Sequence, residues 1–100
     1  MATPAPRSIA KILRDIASTF AKKNADYAYG TWRSNFDDSA AQQLVDPIDV
    51  ANMLIAVKQA RLKSLSASGR VPANESVRDT LLDRAVYAII ALALYDEDNA

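Results

Sequence analysis

The chain has no cysteine, no histidine and only two glycines among one hundred residues. Without cysteine there is no disulfide, no thiolate nucleophile and no Cys-rich zinc site. Without histidine the usual general base and the other common zinc ligand are gone, and no serine–histidine–acid arrangement can form. No glycine-rich phosphate loop occurs. There is also no net charge: twelve basic side chains cancel twelve acidic ones, which excludes the broad basic field of a non-specific nucleic-acid binder. No apolar run reaches the roughly 20 residues a bilayer-spanning helix needs, and MATPAPRSIA lacks the apolar core of a signal peptide. These absences predict a soluble, intracellular chain with no membrane partner.

What is present is apolar, half of all residues, and with so little glycine it points to a compact all-α fold. One hundred residues make one domain with a modest core. Residues 1–7, with two prolines, are expected to form a mobile leader, 8–95 a single helical domain, and 96–100 an acidic tail in solvent. Ser8 is placed to cap a first helix whose Ile9, Ile12, Leu13, Ile16, Ala17 and Phe20 repeat at helical spacing; it should end near Lys22 and Lys23. Asn24–Phe36 holds four of the seven aromatic residues around Gly30 and reads as an ordered loop, with room for a short helix near Trp32. Its aromatics suit two roles. They can plug the end of a small bundle, or Tyr27, Tyr29 and Trp32 can stack on a base.

After the polar stretch Asp37–Gln43, DPID opens a second helix, with Asp46 as N-cap, Pro47 at N1 and Asp49 at the third position. It should run to about Ser64. Asp49, Asn52, Gln59 and Lys63 share its polar face, and Lys58 and Arg61 fall inside its apolar arc. A turn over Leu65–Asn74 leads to the third helix, ESVRDTLLDRAVYAIIALALY, where Ser76 and Asp79 fit a capping box. Here Asp79, Asp83, Val86, Ile90 and Leu94 lie in one stripe. The short connection makes the second and third helices antiparallel neighbours, with Arg61 level with Asp79 and Lys58 level with Asp83. Charges on apolar faces need partners. One reading is therefore an interhelical ion-pair cluster that sets register. The other is a polar site in which Lys58, Arg61 or Arg33 meets a phosphate while Asp79 and Asp83 hold magnesium.

At these residues the chain resembles a known group. ESVRDTLLDRAVYAIIAL is similar to the C-terminal helix of the nucleotide-modification-associated domains of phages and prophages. DYAYGTW (Asp26–Trp32), the helix bearing Lys58 and Arg61, and the loop into ES–DTLLD also fit. Small phage proteins of unassigned function share this order of short motifs over Asn24–Leu94. More distantly, the helix pair is similar to MazG-type all-α nucleoside triphosphate pyrophosphatases. Their second acidic motif would correspond to Asp79 and Asp83 with one extra residue of spacing, whereas Lys58-x-x-Arg61 stands where their first would be.

The resemblance implies a phage accessory protein in the bacterial host's cytoplasm. It would bind a nucleotide or nucleotide-derived ligand in nucleotide or DNA modification, or sequester it. One alternative is a magnesium-dependent pyrophosphohydrolase; the other is a non-catalytic protein-interaction module. The third helix is apolar around nearly its whole circumference from Ala85 onward. Three helices cannot cover it, so a bundle completed by homodimerisation over Ile89–Leu94 is expected.

Overall fold

The computed structural model describes residues 3, 4, 6–72 and 75–100, with every side chain among them except that of Tyr27. Met1, Ala2 and Ala5 of the expected leader, and Ala73 and Asn74 of the expected loop, lie outside the described residues. Among the described residues the fold is all-α, with four helices where three main ones were expected: α1 Ser8–Tyr27, α2 Ser34–Gln43, α3 Pro47–Ser68 and α4 Val77–Asp98.

Helix α1 overruns its expected end by a full turn. Lys22 and Lys23 do not stop it; the chain breaks just before Gly30, which takes a positive φ of 83°. Arg7 holds the cap position and supplies no side-chain bond, so Ser8 is the first helical residue instead of the cap. Helix α2 was read as a polar stretch. It forms because Phe36 and Ala40, four residues apart on one face, are buried in the core.

Helix α3 starts as expected. Pro47 occupies the first position and the Asp49 carboxylate accepts from the Asp46 N–H at 3.1 Å. It runs past Ser64 to Ser68 and stops at Gly69, whose φ of 66° lets its N–H reach the Leu65 carbonyl. Helix α4 begins where Ser76 Oγ accepts from the Asp79 N–H at 2.9 Å. It continues through Asp96, Glu97 and Asp98, which were expected to trail in solvent.

The core joins Ile16 of α1, Phe36 and Ala40 of α2, Val50 and Ala51 of α3, and Val86, Ile90 and Leu94 of α4. Helices α3 and α4 form the expected antiparallel hairpin: Arg61 meets Thr80 and Lys58 meets Asp83, within one residue of the anticipated register. Helix α2 packs on α3 and α1 on α4. Asp15 pairs with Arg78 and Lys23 with Asp83. Five residues of helix turn through about 500°, which puts Arg78 and Asp83 on opposite sides of α4, so α1 crosses α4 obliquely. Its first turns reach past the core, leaving Ile9, Ile12 and Leu13 exposed. The radius of gyration is 15.5 Å, against about 13 Å for a compact domain of this length. The described residues are thus packed less compactly than in a typical domain of this length.

Candidate functional site

Two features hold the chemistry-bearing side chains. The first lies between α3 and the start of α4. Lys58 Nζ sits 3.1 Å from Glu75 and 3.0 Å from Asp83, and Lys23 of α1 reaches the other Asp83 oxygen at 3.5 Å. Arg61 donates to Thr80 Oγ1 at 3.1 Å and to the Glu75 carbonyl at 2.6 Å. Thr80 is fully buried and passes its own proton to the Ser76 carbonyl, so the one buried polar residue of the described core is satisfied on both sides. Burial pushes the Asp83 pKa up, but the hydrogen bond from Lys58 and the charges of Lys23 and Lys58 outweigh it and hold it below the ordinary carboxylate value. For Lys58, burial acts downward and is overcome by Asp83 and Glu75, which leave its pKa raised.

The expected partner set is thus half right. Asp83 meets Lys58 as anticipated, but Asp79 is exposed and makes no ion pair among the described residues. Glu75, just before the helix, takes its place against Arg61. Asp79 sits in the first turn of α4, where its carboxylate favours the helix N-terminus. Asp83 lies between two lysines, and no three acidic residues converge on a metal position among the described residues. Sequence reasoning missed Lys23, Glu75 and Thr80. Only Thr80 left a signal, sitting one position from the level of Arg61.

The second feature is at the far end of α4. Arg33 donates to Asp37, Glu97 and Asp98 at 2.9–3.1 Å, with its side chain only 16% exposed. These three carboxylates, Asp98 foremost, raise its pKa beyond any titration. Trp32 Nε1 donates to Glu97 at 2.9 Å while its ring meets Phe20 edge-on at 6.2 Å. The Trp32 and Arg33 bonds hold the Glu97 carboxyl below its usual range. Trp32 therefore plugs the bundle end. Tyr29 is exposed, and the Tyr27 side chain lies outside the described residues. Between Asp83 and Glu97 run fourteen residues of helix, about 21 Å, so Arg33 does not converge with Lys58 and Arg61 on one phosphate.

Beside Trp32 an open groove of about 410 Å³ is lined by Phe20, Ile89 and Ala93, with Asp96 and Glu97 at one end. Smaller clefts lie along α1 and α4, one with Leu13, Ala17 and Ile89, another with Ile12, Leu81 and Ala85. No helix among the described residues is long and apolar enough to cross a membrane.

No family model, curated protein sequence or solved structure matches the chain. The phage and MazG-type likeness rests on its short motifs alone.

Proposed function

We propose that the chain is a non-catalytic helical assembly module that pairs with a second copy of itself through the outward faces of α1 and α4. The observation that carries this reading is the set of large apolar side chains that one protomer leaves exposed on α1 and α4, among which Leu13 and Ile89 line one cleft. On α1, Ile9 and Leu13 are 44% and 58% exposed; on α4, Ile89 and Leu92 are 47% and 60% exposed. Exposed apolar patches mark interaction surfaces. The expected dimer contact over Ile89–Leu94 is narrowed, since Ile90 and Leu94 are buried within the protomer. Sedimentation equilibrium at micromolar concentration should give twice the 10.9 kDa chain mass. A monomer there overturns the proposal.

Nucleotide binding, in the phage-type modification or sequestration role, is the second reading, and one observation favours it. Three cations, Lys23, Lys58 and Arg61, surround two carboxylates, Glu75 and Asp83, leaving one positive charge for a phosphate. It ranks second because a phosphate must displace carboxylates already in contact. A melting screen with nucleotides, with and without magnesium, separates the readings. A ligand at about 100 times its dissociation constant adds about 2.7 kcal/mol; no shift with any nucleotide removes this reading and, with it, the pyrophosphohydrolase.

A further inference from the structure

Resting on the assembly reading, and going beyond it, we infer that two copies pair through an antiparallel α4–α4 seam whose register the sequence of α4 sets. At about 100° per residue, Val77, Leu81, Ala85, Ala88, Leu92 and Tyr95 fall in one narrow stripe. Its midline lies on the far side of the helix from buried Val86, Ile90 and Leu94, and at its edge the half-buried Ala85 also packs against the core. Val77, Leu81, Leu92 and Tyr95 are 41–60% exposed. Every step is three or four residues, as in a helix–helix seam, which separates this stripe from the scattered apolar residues of an ordinary surface.

The stripe is also self-complementary. A two-fold axis midway between Val86 and Tyr87 sets Ala85 against Ala88 of a second copy and Leu81 against Leu92. Small residues at the centre let the two helices approach closely, and larger ones flank them. The same axis brings Arg78 to Asp96 at both ends. The Arg78 side chain is 60% exposed and, among the described residues, bonds Asp15 alone. Asp96 is exposed and makes no ion pair among the described residues. A parallel pairing in register would leave Arg78 and Asp96 at opposite ends of the seam, with no opposite charge brought to either. The charges therefore select the antiparallel arrangement, and the occupant is a second copy because both halves of the match lie on one helix. Each contact occurs twice, as an isologous interface requires. Beside the seam, Ile12 of the overhanging α1 lines a cleft with Leu81 and Ala85, placing the arm against the incoming helix.

The absence of cysteine makes the test direct. Leu81→Cys and Leu92→Cys chains are oxidised separately and as a mixture, with sedimentation run on each. The antiparallel seam gives a disulfide-linked dimer only in the mixture, since either cysteine alone is about 16 Å from its symmetry mate along the axis. Disulfide-linked dimers of a single variant, or none in a mixture that still sediments as a dimer, overturn the seam while leaving the assembly reading intact. A monomeric parent overturns both. Should the cysteine variants themselves dissociate, charge reversal decides. Arg78→Asp should raise the dissociation constant about tenfold, because a repulsion is placed at both ends, and Arg78→Asp with Asp96→Arg should restore it. Failure of the double reversal to restore pairing sinks the register.

Discussion

Lys58 shows how a charge becomes tolerable on the inner side of a small bundle. Its side chain is 18% exposed, and its ammonium touches two carboxylates on α4 or just before it, each on a side chain at about a quarter exposure or less. Replacing it with methionine leaves Glu75 and Asp83 facing each other with only Lys23 and Arg61 to compensate. Breaking a fully buried pair costs about 3–5 kcal/mol; with water reaching this one, Lys58→Met should cost about 2–3 kcal/mol. In a domain of this size that lowers Tm by about 10 °C or more, measurable by calorimetry. Adding Asp83→Leu to the same chain should recover part of the loss, because the unpaired carboxylate goes with it.

The same pair sets an acid limit. The folded state depresses the Asp83 pKa, so its stabilisation is complete above the ordinary carboxylate value of 3.8 and is lost as pH falls through the lower folded value. Lys58 is raised in the fold, so its contribution is complete below 10.5 and is lost as pH rises through the higher folded value. No histidine side chain titrates between these limits. Denaturant melts should show stability nearly level from about pH 5 to 8, a fall below about pH 4, and a shallower acid slope in Asp83→Asn.

At the scale of the helix, α2 and the end of α4 depend on one arginine. Carboxylates at a helix C-terminus oppose its dipole, yet Glu97 and Asp98 continue α4 because Arg33 bonds both while also holding Asp37 of α2. Arg33→Ala should free the last turn: amide exchange at residues 95–98 should rise sharply while that at Val86–Ile90 changes little. Helix α2 also ends at a correctable fault. Leu44 caps it at a φ of 58°, a conformation that costs a side-chain-bearing residue about 1–2 kcal/mol, and its side chain is 92% exposed, so it gains little from burial. After subtracting glycine's extra unfolded-state entropy, Leu44→Gly should stabilise the chain by about 0.5–1 kcal/mol in urea melts.

These helices also show what a sequence reveals. Asp46–Pro47 and Ser76 are local signals whose partners lie within four residues, so the starts of α3 and α4 were legible, and the hairpin register followed from the turn length. Asp37 is four residues from Arg33, but the other two partners of Arg33 lie 64 and 65 positions away, and no local pattern connects those. Helix α2 has ten residues and only two of them buried, too few to raise a period above its serines and aspartates. Arg61 was seen to need an acid, but Glu75 lies outside the helix, where no helical wheel can place it.

For the whole molecule, the decisive contrast is between neighbours on α4. Ile90 is 5% exposed and belongs to the core, whereas Leu92, two residues on, is 60% exposed and lies outside the core cluster. In a monomer, Leu92→Lys should change stability by no more than about 0.5 kcal/mol, and Ile90→Ala should cost about 2–5 kcal/mol. In a dimer sealed by the outward face of α4, both substitutions are damaging but in different ways. Assembly stabilises the folded chain by mass action, so the parent's Tm should climb with protein concentration. Leu92→Lys should abolish that dependence and leave a folded monomer melting at one temperature, because two lysines would meet apolar side chains across the axis. Ile90→Ala should keep the dependence while shifting the whole curve down. Calorimetry over a concentration series distinguishes the two patterns, and a parent whose Tm ignores concentration would mean that the outward face of α4 is not where two copies meet.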